Sequence, residues 1–296
     1  MKLTFEQFCR GEYFVDPDSH EDEILWLHEA CMDIGGGRIS IPEIDVLAEY
    51  PEAEAVRITG LRQDTFEYFV KTYGRQLKAI HFFKNKLVED WTLLGTLPKL
   101  EYVYWFANQR ITRLWDMSAN TTLKGLCFSN FTRLHSIEGI QAAPSLRYFC
   151  FKDAVWDTSE VESFSPLAYT GVTHLMFGAK RITDGSLEFL EKMPSLEVFE
   201  FPLNQFTTEQ VAWAVSNFPK LQGFGLCAKK DDTIFRNGPN GEFLELPGAY
   251  IVGKRKPALF YDKDAARIQK YVDQFESLKE KYRGVPYREA FGGLKT

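Results

Sequence analysis

The chain has 296 residues, of which 45% are hydrophobic and 15% aromatic, and its formal net charge is −6 at pH 7. This composition is typical of an ordered globular protein and excludes a disordered or low-complexity chain. Because phosphate binding needs a basic surface, the net charge argues against a nucleic-acid partner, and Lys254-Arg255-Lys256 is too short to supply such a surface.

The start of the chain predicts a cytoplasmic protein that does not enter a membrane. Residues 1–9 lack the continuous apolar stretch of a signal peptide, and no run of about 18 apolar residues follows. Five cysteines without CxxC pairs or a disulfide framework fit a reducing compartment. We therefore expect that the protein binds neither a membrane nor a nucleic acid.

The segment before residue 53 is predicted to be an N-terminal cap, residues 1–52. His20 to Asp33 has apolar residues at helical spacing and is followed by Gly35-Gly36-Gly37, which predicts a helix and its end. The glycines could alternatively form a phosphate loop, but neither Gly-Lys-Ser/Thr nor the GxGxxG spacing is present.

A sequence motif then recurs every 23 residues, with Leu77, Leu100, Leu123 and Leu146 at its first position. Residues 77–87 (LKAIHFFKNKL) and 196–206 (LEVFEFPLNQF) share large apolar residues at positions one, four, six and eleven and asparagine at position nine. Proline stands two residues ahead of the first position in five such units: Pro51, Pro98, Pro144, Pro194 and Pro219. A period of this length indicates stacked structural repeats.

This motif resembles the leucine-rich repeat consensus LxxLxLxxNxL. The resemblance covers residues 53–228, which would form about eight repeats. The resemblance implies an α/β solenoid, a horseshoe with a curved parallel sheet and a cap at each end. It implies that Asn85, Asn108 and Asn204, at the ninth position, bond loop backbone of neighbouring repeats. The implied strands lie near residues 55–59, 79–83, 102–106, 125–129, 148–152, 174–178, 198–202 and 223–227.

Alternation along these strands directs the first, fourth and sixth positions into an aromatic core and the intervening positions onto the concave surface. An aromatic cluster with a polar rim results there, and exposed contiguous aromatics mark interaction sites. The predicted partner-binding residues are Phe83, Tyr102, Tyr104, Phe106, Tyr148, His81, His174 and Arg147. The alternative is that a terminal module covers this face and buries the aromatics within the monomer.

After Leu226 the period is lost. The extended stretches 233–236 and 242–246 flank two Asn-Gly steps and predict a hairpin. A helix is predicted from Asp264 to Arg283, stopped by Gly284 and Pro286. Residues 229–296 are therefore predicted to form a hairpin-plus-helix cap, with a partner-docking module as the alternative.

The sequence contains no recognisable catalytic motif. HExxH, the P-loop, GxSxG and the kinase signatures are all missing, so no metal and no cofactor is predicted. Cys127 and Cys150 occupy the fifth position of consecutive repeats and should stand side by side, near His174. They are either incidental small residues or a redox pair or soft-metal site.

These observations predict a non-catalytic scaffold that binds a protein or peptide on its concave face. The prediction rests partly on the resemblance, because a fold alone does not specify function. One alternative is an enzyme or separate docking module within residues 229–296. Another is a purely structural, self-associating protein.

Overall fold

The computed structural model describes residues 4–11, 25–27, 37–153, 155, 157–237 and 242–292. The chain is a mixed α/β protein that divides into two compact units, Met1–Leu196 and Glu197–Thr296. Its main sheet has eight parallel strands and is not closed into a barrel. None of the helices within the described ranges is long and apolar enough to cross a membrane.

The strands of the main sheet follow one another in sequence order. The parallel strands of the chain are β1 (Leu25–Leu27), β2 (Ala55–Thr59), β3 (Ala79–Phe83), β4 (Tyr102–Asn108), β5 (Gly125–Phe131), β6 (Tyr148–Lys152), β7 (Glu160–Val161), β8 (His174–Gly178), β9 (Arg181–Ile182) and β10 (Val198–Glu200). Of these, β7 and β9 form a separate two-stranded sheet. The seven strands predicted between residues 55 and 202 are confirmed, and equivalent positions such as Val56, Ile80 and Val103 are register partners.

Two sequence predictions about this sheet are wrong. Within the predicted helix at 20–33, the described residues 25–27 form β1, which pairs in parallel with Val56–Ile58, and the rest of that prediction lies outside the described residues. A short apolar run fits a strand as well as a helix, and here the hydrogen-bonding edge of β2 decides. The strand predicted at 223–227 is reduced to one bridge between Val198 and Gln222, because Gly223 and Gly225 favour turns over strands.

The core face of the first unit is built from the alternate strand residues at the fourth and sixth positions. Phe82 and Trp105 stack with ring centroids 4.1 Å apart, and both are fully buried. Helix α3 (Gln63–Tyr73) follows β2 and packs Phe66 and Phe69 against Phe82. The aromatic core predicted at the sixth position is confirmed for these strands.

Buried asparagines tie the turns of neighbouring strands together. Asn85 accepts a hydrogen bond from the Leu61 backbone N–H and donates to the Ile58 carbonyl, at 2.8 and 2.9 Å. Asn108 donates to the carbonyls of Asn85 and Val88. Each of these side chains satisfies buried backbone groups that the turns would otherwise leave without partners.

Most connections in the first unit are short. They contain α2 (Ile41–Ile44), α3 and single 3₁₀ turns at Asp45–Glu49, Gly74–Gln76, Thr92–Thr96, Ile140–Ala142, Ser165–Tyr169 and Glu188–Lys192. The connection before β10 thus contains only a short 3₁₀ helix, Glu188–Lys192. At the other end of the unit, helix α1 (Phe5–Arg10) lies on the sheet face opposite the core.

The second unit begins with β10 and α4 (Thr208–Asn217), which starts with a capping box between Thr207 and Gln210. An antiparallel sheet follows, with β11 (Lys229–Asn237), β12 (Phe243–Ile251) and β13 (Ala258–Phe260). Helix α5 (Tyr261–Tyr282) packs against α4, and α6 (Tyr287–Phe291) completes the unit. The predicted hairpin and C-terminal helix are both confirmed, and the tip of the hairpin at 238–241 lies outside the described residues.

Candidate binding face

The register of the main sheet brings most of the predicted site residues together. Tyr102, Gly125, Tyr148 and His174 are consecutive register partners along one row. The row beside it contains His81, Tyr104, Cys127 and Cys150, and a third row pairs Phe83 with Phe106. These residues alternate with the core residues along each strand, so they share the opposite face of the sheet.

The expectation that this face is exposed to solvent is wrong. Tyr102 is 6% exposed and Tyr104 5%, because α1 lies across them. The apolar residues of α1, Phe5, Phe8 and Cys9, follow the i, i+3, i+4 spacing of one helix side and need a surface to bury against. We call the surface formed by His81, Tyr102, Tyr104, Gly125, Cys127, Tyr148, Cys150 and His174 the helix-covered face.

Phe8 is the anchor of α1. Its ring lies between Tyr102 and Tyr148, with centroids 5.8 and 5.9 Å away, directly over Gly125. A Cβ atom at residue 125 would lie 2.8 Å from both the Phe8 and the Tyr102 rings. Gly125 is therefore a notch between two tyrosines, and the fully buried Phe8 side chain fills it. Burying a phenylalanine completely stabilises the contact by roughly 1.5 to 3 kcal/mol.

Phe5 extends the contact by one helical turn. Its ring centroid lies 5.5 Å from that of Tyr148 and 5.1 Å from that of His174. The His174 Nδ1 is 2.9 Å from the Thr173 hydroxyl, which fixes the orientation of the imidazole against these two rings. Aromatic pairs at such angles contribute about 0.5 to 1.5 kcal/mol beyond the area they bury.

Both ends of α1 are specified by its sequence. Thr4 and Gln7 form a capping box, in which each side chain accepts a hydrogen bond from the backbone N–H of the other. Gly11 ends the helix at φ 70°, a conformation that side-chain-bearing residues rarely adopt. Gly11 also rests on Tyr104 and His81, where an added Cβ would be 3.1 and 3.3 Å from the rings.

Three thiols meet beneath α1. Cys9 on the helix packs against Cys127 and Cys150 on β5 and β6, and all three are buried and free of disulfides. Cys150 is the register partner of Cys127 and lies in the same buried cluster as Cys9. The Lys152 ammonium lies on the same face, donates to the Cys9 carbonyl, and is 5.6 Å from the Tyr104 ring centroid.

Burial changes the acid–base behaviour of this face. Desolvation lowers the pKa of His81 well below its usual value, and the nearby charges of Arg57 and Lys152 lower it further. Desolvation raises the pKa of Tyr102 to about 12 and the pKa of Tyr104 still more. His81 and both tyrosines are therefore neutral at pH 7 and act here as packing groups.

Part of the same sheet face extends beyond α1 and is accessible. The Arg57 guanidinium lies between the rings of Trp26 and Phe83, 4.0 and 4.1 Å from their centroids. Phe83 stacks in turn on Phe106, with centroids 5.2 Å apart. Trp26 is 48% exposed, and the two phenylalanines are half-buried. We call Trp26, Arg57, Phe83 and Phe106 the aromatic row.

One predicted site residue is absent from this face. The Arg147 guanidinium donates to the backbone carbonyls of Leu146 and Gly171, at 2.9 and 3.4 Å, and thus joins the starts of two strands. Conversely, Phe5, Phe8 and Gly125 belong to this face but are not among the residues predicted from the sequence. The spacing Thr4-x-x-Gln7 before apolar residues is a capping-box signal that could have identified α1.

The second unit contains a cleft of about 560 Å³ lined by residues of both charges, including Lys230, Asp231, Asp232 and Lys256. Beside it, the Lys229 ammonium donates to Asp231 and to the Tyr261 hydroxyl. The hydrogen bond from Lys229 and another from Tyr261 hold the pKa of the Asp231 carboxyl below its usual value. Among the described residues, no group of His, Cys, Asp and Glu side chains is arranged to hold a metal ion.

Comparison of the sequence with known proteins identifies no relative of this chain. No protein-family model matches the chain, and no curated protein is significantly similar to it.

Proposed function

We propose that the protein is a non-catalytic binding scaffold of the leucine-rich repeat type, whose concave surface is the helix-covered face together with the aromatic row. Its partner is a protein that presents a short amphipathic helix with aromatic residues at positions i and i+3. In the structure, α1 occupies the place that this partner helix takes.

The observation that carries the proposal is the fit of Phe8 into the notch at Gly125. The notch is formed by a glycine that lies between Tyr102 and Tyr148 in its row, and it is filled by an aromatic side chain on a helix. A helix laid in an apolar groove by its i, i+3 and i+4 residues is a recurring mode of peptide recognition. The face therefore has the shape and chemistry for this class of ligand.

The aromatic row supports the same function. It continues the helix-covered face onto accessible surface, and it combines large rings with the Arg57 and Lys84 side chains, the latter 5.2 Å from the Phe83 ring. Aromatic residues and arginine are the residues that most often dominate binding energy in protein interfaces. A partner helix longer than α1 would contact this row as well as the notch.

The buried asparagines support the repeat type. Asn85 and Asn108 bond turn backbone of neighbouring strands, as the resemblance implies for the ninth position. Successive strands also pair residues at equivalent positions of the repeat, which supports the same repeat type.

A labelled synthetic peptide of residues 1–15 with Cys9→Ser tests the proposal. Its fluorescence anisotropy is measured with the full chain and with a Phe5→Ala/Phe8→Ala variant of the full chain. We expect saturable binding to the variant and much weaker binding to the wild type, whose own α1 competes at a high effective concentration.

Two controls identify the site. A peptide that carries Phe5→Ala and Phe8→Ala should not bind, and adding Gly125→Val to the variant chain should abolish binding by filling the notch. The proposal is wrong if a variant chain with native circular dichroism fails to bind the peptide, or if Gly125→Val leaves the affinity unchanged.

The cleft of the second unit favours one alternative, a binding or catalytic site for a small zwitterionic molecule. Two lysines and two aspartates line a volume within the range of small-molecule sites. A thermal-shift screen with amino acids and similar compounds tests this alternative. A ligand that raises the melting temperature of the wild type but not of Lys256→Met would favour it over the scaffold.

A further inference from the structure

The three thiols under α1 approach one another from two directions. Cys127 and Cys150 are register partners on adjacent parallel strands, so their side chains project the same way. Cys9 comes from the helix that lies over them and meets their thiols from the opposite side. A disulfide needs Cβ atoms about 3.5 to 4.5 Å apart and directed toward each other. Cys9 faces the strand cysteines from the helix, whereas the side chains of Cys127 and Cys150 run parallel and do not point toward each other, so a disulfide suits Cys9 with a strand cysteine better than the side-by-side pair.

The surroundings make Cys150 the reactive thiol. Burial raises its pKa, but hydrogen bonds with Cys127 and Cys9 and the Lys152 ammonium outweigh burial and hold the pKa well below its usual value. For Cys127 and Cys9, burial and the neighbouring Cys150 raise the pKa. The thiolate is the nucleophilic form of cysteine, and a nearby ammonium favours it. Lys152 is two residues after Cys150 on β6, so its side chain projects from the same face of the sheet as the Cys150 thiol.

We propose that Cys150 and Cys9 form a redox modification site, in which a hydroperoxide oxidises Cys150 and Cys9 then forms a disulfide with it that fixes α1 on the sheet. Cys127 stabilises the Cys150 sulfur and is not itself joined. This inference concerns the chain's own helix, so it does not rest on the proposed function.

The chemistry has two balanced steps. The Cys150 thiolate attacks one oxygen of hydrogen peroxide, the O–O bond breaks, and the leaving hydroxide takes a proton from the Lys152 ammonium, giving a sulfenic acid and water. The Lys152 amine, now neutral, takes the Cys9 proton, and the Cys9 thiolate attacks the sulfenic sulfur and displaces hydroxide, which takes the proton back from Lys152 and leaves as a second water. Overall, two thiols are oxidised to one disulfide and one peroxide is reduced to two waters.

The opening and closing of α1 determine the order in which the two steps occur. The three thiols are at most 1% exposed, so an oxidant reaches Cys150 only when α1 lifts from the sheet. A helix of six residues held by Phe5, Phe8 and Cys9 is a segment that can open locally without unfolding the rest. Opening admits the peroxide, and closing brings Cys9 onto the oxidised sulfur. The resulting disulfide holds α1 in place until it is reduced.

Tryptic mass spectrometry tests the proposal directly, because each described cysteine falls in its own tryptic peptide: residues 3–10 for Cys9, 125–133 for Cys127, 148–152 for Cys150 and 221–229 for Cys227. The reduced full chain is treated with hydrogen peroxide, alkylated and digested. We expect peptides 3–10 and 148–152 to be joined as the main product, and the joined form to disappear with dithiothreitol.

Single substitutions separate the roles. In Cys9→Ser, dimedone should label Cys150 as a sulfenic acid and the disulfide should be lost, whereas Cys227→Ser, the matched control, should change nothing. Phe8→Ala, which loosens α1, should speed oxidation of Cys150 at least severalfold. In hydrogen exchange, oxidation should slow exchange of the α1 amides.

Three results would each overturn the proposal. They are a main product that joins peptides 125–133 and 148–152, preferential oxidation of the partly exposed Cys227, and wild-type protein that yields no disulfide while its α1 amides exchange freely. The wild-type peptide map alone decides between these outcomes and the expected one if a cysteine variant fails to fold.

Discussion

The two faces of the main sheet are buried in different ways. The core face is covered by the connections between successive strands, and its ties are local, such as the bond from Asn108 to the carbonyl of Asn85, 23 residues away. The opposite face is covered by the six residues of α1, and the bond from Lys152 to Cys9 spans 143 residues. One face is thus specified again in every period of the sequence. The other depends on a single distant segment and is the part that can open.

The largest effect should come from the core face. Trp105→Ala removes a fully buried ring that stacks on Phe82 and touches Phe66, and it should lower the free energy of unfolding by about 3 to 5 kcal/mol. Urea denaturation measures this loss. Trp26→Ala is the matched control, and its half-exposed ring should cost far less; equal losses for the two variants would contradict the comparison.

A smaller effect is expected on the face that α1 covers. Phe8→Ala should reduce the free energy of unfolding by about 1.5 to 3 kcal/mol, less than Trp105→Ala, because α1 can detach while the sheet stays folded. Hydrogen exchange should show fast exchange in α1 and unchanged protection in β4 and β5. Phe235→Ala, at an exposed position of the second unit, controls for loss of a phenylalanine. Global unfolding of Phe8→Ala would show that α1 belongs to the core.

Two glycines on the same sheet provide a sharper comparison. Gly125→Ala puts a Cβ 2.8 Å from Phe8 and Tyr102, so it should destabilise the protein by about 1 to 3 kcal/mol through overpacking. Gly178→Ala meets only the Lys152 Cβ, at 3.4 Å, and should be nearly neutral. Thermal denaturation of both variants is the measurement, and similar melting temperatures would mean that Phe8 does not occupy the notch.

The smallest effect is a dependence on pH. Burial, with the charges of Arg57 and Lys152, lowers the pKa of His81, and Tyr104 and Gly11 enclose the imidazole. The unfolded chain therefore takes up a proton near pH 6.5 that the folded chain does not accept, so stability is lost as the pH falls below 6.5. For one proton the slope is at most about 1.4 kcal/mol per pH unit.

Urea denaturation at pH 7.5 and 5.5 measures this slope. His81→Gln should reduce the loss of stability between the two pH values, since glutamine does not titrate. His135→Gln serves as the control, because the His135 side chain is exposed and its Nδ1 contacts the Glu160 carbonyl. An identical pH dependence in wild type and His81→Gln would show that another group titrates.

The contrast between the core face and the face covered by α1 also explains which features could be predicted from the sequence. The strands with Leu126, Phe149 and Leu175 were found because their apolar residues recur with a period that the backbone of a parallel sheet repeats. The hairpin and α5 were found from local turn and helix signals. The cluster residues share one face of the sheet, as the alternation indicated, but the sequence could not decide between an exposed face and one covered by a terminal module, since no local signal states which surface a six-residue helix covers.

The errors also have physical causes. Leu25 to Leu27 became a strand because the edge of β2 was available, which is a tertiary effect that propensity does not contain. Arg147 was assigned to the rim from its position in the repeat, yet its long side chain turns to the backbone carbonyls beside it. Cys9 could not be associated with Cys127 and Cys150 until α1 was placed.

The position of Trp26 gives this protein a spectroscopic label of its own. Among the tryptophans in the described part of the chain, Trp91, Trp105, Trp115 and Trp213 are at most 2% exposed, and Trp26 is the one that water reaches. Its ring faces the Arg57 cation, which attracts anions. Iodide should therefore quench the emission of this indole in preference to the buried ones, and a ligand that covers the aromatic row should shield it. In a chain in which Trp156, which lies outside the described residues, is replaced by phenylalanine, the intrinsic fluorescence can thus report occupancy at this corner of the sheet.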